Sequence, residues 1–148
     1  MDEIERWQSY WAQWDYTRPV DAALSAEFGV PFGATNTGGG CICITHDTPL
    51  EGGLYVYVGS AVDGPLWRHE HREQYHAEHG HYDGFGVGIV DENGYSVADA
   101  SDEQAQTPAQ VVELVKRALS LAALVTETTQ QTWRRDWAGN VREETYPR

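Results

Sequence analysis

Apolar and polar residues alternate along this chain with two distinct periods, and the changes of period mark its elements. The first period is helical. Ile4, Trp7, Tyr10, Trp11 and Trp14 follow the i, i+3, i+4, i+7 rule and form a stripe about 120° wide, with Glu5, Arg6, Gln8, Ser9 and Gln13 facing away. Asp2 and Glu3 sit where the positive end of the helix dipole favours a carboxylate. Thr17-Arg18-Pro19 breaks this helix. Pro19 suits the first turn of a second, short helix running to about Phe28 and closed by Gly29. Residues 1–28 therefore read as an amphipathic helical segment, and Val30 to Gly40 as a turn-rich connector.

The period then falls to two. Cys41-Ile42-Cys43-Ile44-Thr45-His46 and Leu54-Tyr55-Val56-Tyr57-Val58-Gly59 are strands by composition, joined by the turn Asp47 to Gly53. Gly84 to Val90 alternates strictly, with Phe85, Val87 and Ile89 on one face. Asn93-Gly94 is a strong short hairpin signal, and Tyr95 to Ala98 returns. Residues 41–100 thus predict an antiparallel sheet with one buried face, interrupted by a histidine-rich insertion at 65–83. Helical spacing resumes at Thr107-Pro108-Ala109-Gln110, a cap, a first-turn proline and a capping-box glutamine. Val111, Val115, Ala118, Leu119, Ala122 and Val125 form its buried stripe. The pattern predicts one long C-terminal helix over 107–137, then a frayed polar tail over 138–148. The expected fold is α+β in a single domain, 1–148: a sheet of four to five antiparallel strands packed on that helix and flanked by the N-terminal helices.

Charge narrows the function. The net charge is −13, the ten cations include a single lysine, Lys116, and none lies between Arg72 and Lys116. Phosphate recognition needs clustered cations, so direct nucleic-acid binding is disfavoured, and an anionic membrane surface is disfavoured for the same reason. Such a field draws a protein partner with a basic surface. Arginine over lysine, with abundant Ala, Gly, Val and Trp, resembles the composition of a high-GC bacterial genome or a phage of such a host. The first residues are acidic rather than basic and then apolar, and no apolar run reaches membrane-spanning length; both point to the cytoplasm and to reduced thiols.

Candidate chemistry concentrates in residues 67–84, which hold five of the six histidines. Two local structures compete there. A helix ending at Gly80 puts His69, Glu73 and His76 on one face and His71, Tyr75 and His79 on a neighbouring one. Paired strands would instead point His69 with His71, and His79 with His81, to one side. Either arrangement offers imidazole and carboxylate ligands suited to a divalent transition metal, zinc or iron, so His69, Glu73, His76, His79 and His81 are the candidate ligands. Without a metal the same segment is a solvated or pH-responsive surface, since mild acid would add up to about five positive charges.

Elsewhere the signals are weaker. Gly38-Gly39-Gly40 precedes a strand rather than opening a helix, unlike a phosphate loop. On a regular strand His46 points opposite Cys41 and Cys43, which leaves a zinc site short of ligands. No nucleophile motif is present. The reading that results is an acidic, cytoplasmic, non-enzymatic binding protein with no cofactor expected: a host-interaction, immunity or DNA-mimic factor. A metal-binding protein or metal-dependent enzyme using residues 69–81 is the alternative. The candidate partner surface is Trp7, Trp11 and Trp14 with Asp91, Glu92, Asp99, Asp102 and Glu103. The aromatic N-terminal helix could also join two copies of the chain.

Overall fold

A computed structural model describes all residues, 1–148. Four helices, α1 Glu3–Ala12, α2 Arg18–Phe28, α3 His69–His79 and α4 Pro108–Ala122, accompany seven strands. The strands are β1 Gly33–Asn36, β2 Ile42–Thr45, β3 Tyr55–Ser60, β4 Phe85–Val90, β5 Ser96–Asp102, β6 Thr129–Arg135 and β7 Val141–Pro147. They form one sheet in sequence order, β1 to β7. Every pairing is antiparallel except β5 with β6, which run parallel with α4 as the crossover between them. No helix is long and apolar enough to cross a membrane.

The antiparallel heart of this sheet follows the predicted alternation. Val56, Val58, Phe85, Val87 and Ile89 are buried, while their neighbours Tyr55, Tyr57, Gly86 and Gly88 are half-exposed. The β4–β5 hairpin turns at Gly94, whose φ is +84°. The Asp91 carboxylate accepts from the amides of Asn93 and Tyr95 at 2.9 and 3.0 Å. Those amide bonds, first that from Tyr95, hold its pKa below the ordinary carboxylate value. One cross-strand row runs Ile44, Val58, Val87, Ala100, Trp133, all of it buried. α4 lies over this face through Val111, Leu114, Val115 and Ala118, and α2 packs beside it through Val20 and Leu24. Alanine at 98 and 100 keeps the sheet low beneath α4. The capping box forms as its residues require, with the Thr107 hydroxyl accepting from the Gln110 amide and the Gln110 side chain accepting from the Thr107 amide.

Four expectations need correction. The sheet has seven strands and is mixed, not four or five and antiparallel. The long helix over 107–137 does not exist. α4 stops at Ala122, and residues 129–135 are β6. The cause is local and then tertiary. The Thr126 hydroxyl accepts from the amides of Thr128 and Thr129 at 3.3 and 3.1 Å, a side-chain turn that competes with helical bonding. Beyond it, extended backbone buries Trp133 against Ala100, with only 4 % of the residue left exposed. The tail is not frayed either. Residues Val141–Pro147 pair with β6 along its full length as β7, because the turn at Asp136–Asn140 folds them back, Asp136 accepting from the Asn140 amide and side chain. The connector at 30–40 also contributes an edge strand, β1, paired with β2.

Replacing Trp133 by Ala removes the last buried member of the cross-strand row. We expect a loss of about 3–5 kcal/mol in urea unfolding; a loss below about 1 kcal/mol would mean that β6 is not an inner strand.

Candidate functional site

The histidine-rich segment folds as the helical alternative. Arg68 is extended at its start. Gly80, left-handed with φ +80°, closes it by donating to the His76 carbonyl at 2.8 Å. α3 has no apolar stripe, and its one buried residue is Arg72. That guanidinium docks the helix. It lies 4.1 Å from the Tyr16 ring and 4.4 Å from the Tyr82 ring, and Nε donates to Asp83 Oδ1 at 2.9 Å. Arg72 is 8 % and Asp83 2 % exposed, so each neutralises a charge that alone would be costly to bury. The Tyr16 hydroxyl donates to the Trp67 carbonyl, and burial pushes its pKa well above the tyrosine norm, with Arg72 opposing. The His69 amide donates to Gln13 at 2.8 Å, tying α3 to the end of α1.

With Arg72 facing inward, the histidines divide between two outward groups. In the first, His69 Nδ1 lies 3.9 Å from Glu73 Oε1, Tyr82 donates to that same oxygen at 2.7 Å, and His76 packs on the Tyr82 ring with centroids 4.5 Å apart. The second is a ladder of rings. His71 stacks on Trp67 at 4.0 Å, Tyr75 meets Trp67 at 5.3 Å and His79 at 4.1 Å, and His81 stacks on Trp137 at 3.9 Å with 6° between planes. Tyr75 and His79 link to His81 at 5.7 and 6.2 Å. The five candidate ligands are thus split, His69, Glu73 and His76 on one side, His79 and His81 on the other. No group of three or more His, Cys, Asp or Glu side chains is placed to hold a metal ion.

His46 has a structural task. Its Nδ1 lies 2.7 Å from the Thr48 carbonyl and its Nε2 accepts from the Val56 amide at 2.9 Å, so both nitrogens are engaged between β2 and β3. Cys41 is exposed and Cys43 half-buried, both free thiols; burial raises the Cys43 pKa, with the Cys41 side chain adding to it.

The candidate partner residues do not form one surface. Trp14 belongs to the core, Trp11 packs partly against it, and Trp7 is 57 % exposed, as is Ile4 at 69 %. Trp7, Tyr10 and Trp11 line an open groove of about 500 Å³ with Glu3, Arg6 and Asn36. Asp91 is bonded to Arg148 and Glu92 is exposed in the β4–β5 turn. Asp102 is buried and paired with Arg135 at 2.5 Å, and Glu103 accepts from the Trp137 amide at 2.7 Å. Asp99 lies on the sheet face opposite α4, in a groove of about 450 Å³ floored by Gly86 and Gly88 and edged by Tyr57, Ser101 and Arg134. Desolvation there raises the Asp99 pKa, with Arg134 opposing.

The class defined by these features is an α+β protein with a seven-stranded mixed sheet, helices on one face and a ring-lined helix across one end. No protein-family model, no curated protein and no solved structure matches the chain.

Sequence reasoning did not find the Arg72–Asp83 pair, because nothing local marks two residues eleven apart as partners. The ladder left a trace: Trp67, His71, Tyr75 and His79 recur every four residues, the spacing that stacks side chains on one helix face.

Asp83→Asn leaves the buried guanidinium without its counter-charge. We expect a loss of about 3–5 kcal/mol in chemical unfolding; near-wild-type stability would show that Tyr16 and Tyr82 hold Arg72 unaided. A second test concerns Asp21, at the start of α2. Its Oδ1 is buried without a partner, and burial raises its pKa to about 7 from 3.8, with Arg18 opposing. The folded state therefore binds this proton more tightly than the unfolded chain does. Its stabilising effect is complete below about pH 4 and is lost as pH rises through about 7. Asp21→Asn should raise Tm at pH 8 and give no advantage at pH 4; equal effects at both would remove Asp21 as the cause.

Proposed function

We propose that the chain is a non-enzymatic binding protein of the cytoplasm whose partner presents a basic surface. Support comes from the ion-pair balance. Six of the ten cations, Arg18, Arg72, Lys116, Arg135, Arg142 and Arg148, are tied to carboxylates within the chain. They occupy seven of the 23 carboxylates and leave sixteen unpaired against four free arginines. Pairing cancels charge of both signs and leaves the net at −13, so the groups left without a partner are mostly carboxylates. That net charge speeds encounter with a cationic partner and opposes self-association of two like-charged copies. Host-interaction, immunity and DNA-mimic roles all use such a surface; the last requires that the partner itself bind nucleic acid.

The exposed Ile4 and Trp7 of α1 supply the apolar element that a charged surface needs to hold what it attracts, since aromatic anchors dominate interface energetics. Immobilised chain should retain a basic protein from the matching lysate at about 50 mM salt and release most of it at about 0.5 M, where the Debye length falls to a few ångströms. Trp7→Ala should speed release without altering that salt dependence. Recovery of no basic protein, or retention indifferent to salt, would count against the reading.

A further inference from the structure

We propose that the ring ladder across the α3 end of the sheet is a docking site for an arginine-bearing segment of a protein partner; this rests on the reading that the partner is basic. The ladder is a set of preplaced π-faces, His71 on Trp67, Tyr75 against His79, and His81 on Trp137. Its outer members are open to solvent: His71 and His79 are exposed, and Trp137 is 46 % exposed. Its rings are held from below. The Trp67 indole donates to Asp63 at 3.2 Å, and the Trp137 backbone is fixed at both ends, its amide donating to Glu103 and its carbonyl accepting from Gln104 at 2.9 Å. Little side-chain entropy remains to be lost on binding.

Carboxylates edge the rings. Asp63 bonds the Trp67 indole, Glu103 lies near enough to raise the Tyr75 pKa alongside burial, and Glu78 is one helical turn beyond Tyr75. None of the three is ion-paired to Arg or Lys. The open indole of Trp137, its amide held by Glu103, sets a negative π-face beside a carboxylate and matches a guanidinium, which is planar, weakly hydrated and able to stack and donate at once; the compact, strongly hydrated lysine ammonium fits less well. The chain already solves this problem internally. Arg72 lies against two tyrosine rings with its Nε on Asp83, and Arg117 sits 4.3 Å over Trp133. Aromatic platforms also stack nucleobases, but a nucleic acid would bring phosphates to a surface of unpaired carboxylates.

The test is fluorescence anisotropy with a labelled oligo-arginine peptide and an oligo-lysine peptide of equal length and charge. The arginine peptide should bind at least about fivefold tighter, the preference expected of guanidinium stacking. Trp137→Ala and Glu78→Gln should each weaken it by about three- to tenfold, while Trp7→Ala leaves it unchanged. Glu78 makes no bond within the chain, so Glu78→Gln remains informative if Trp137→Ala loosens the β6–β7 turn. Equal affinity for the two peptides, or tighter binding of a single-stranded oligonucleotide, would overturn the proposal. So would arginine binding untouched by both ladder variants, which moves the contact elsewhere on the acidic surface and leaves the basic-partner reading standing. Binding of neither peptide, together with no basic protein retained from lysate, would remove both.

Discussion

The Arg72–Asp83 pair is the interaction on which the placement of α3 depends. It gathers Tyr16 from the α1–α2 junction, Arg72 from α3, and Tyr82 and Asp83 from the segment entering β4. A buried ion pair adds little net stability over an apolar substitute, yet breaking one is expensive. Its value is therefore positional. α3 has no apolar stripe to dock with, so the orientation of its rings follows from where Arg72 is held. Gly84 next to the pair is part of the same constraint: its φ is +71°, and a Cβ there would lie 2.4 Å from the Asp102 carbonyl.

The sheet divides the molecule into a covered face and an open one. Val, Ile, Ala and Trp133 fill the face beneath α2 and α4, and the opposite face shows Gly86, Gly88, Ser101, Asp99 and Arg134. Surface left uncovered by packing lies in three places: the open sheet face, the aromatic side of α1 and the ring ladder at the α3 end. They differ in chemistry. α1 offers apolar area, the sheet face a shallow glycine floor, and the ladder a combination of π-faces and free carboxylates. Their charges differ too: Arg6 lines the α1 groove with Glu3, Arg134 edges the sheet groove with Asp99, and the carboxylates beside the ladder have no Arg or Lys partner.

Legibility of the fold tracked the locality of the signals. Alternation in 84–90, the Asn93-Gly94 turn and the Thr107–Gln110 capping box depend on neighbours within a few residues, and each forms as read. Residues 126–147 misled because their decisive partners are distant. Thr129–Arg135 carries enough Gln and Arg to extend a helix, but burying Trp133 beside Ala100 favours extended backbone, and β7 then has a strand edge to join. The site behaved similarly. The helix over the histidines with its Gly80 stop was one of two readings that the local pattern left open, and the structure takes it. What the rings stack against, Trp137 above all, comes from a turn more than fifty residues later.

By itself the sequence determined the net charge, the Gly29 stop of α2, the Thr107 capping box and the strands of the antiparallel heart, since composition is additive and these structures rest on short-range sterics and hydrogen bonds. Only the tertiary structure decided that β6 runs parallel to β5, that Arg72 faces inward onto Asp83, and that His81 meets Trp137. Each of those is a choice among distant partners, settled by which arrangement buries apolar area while leaving no charge alone in the interior.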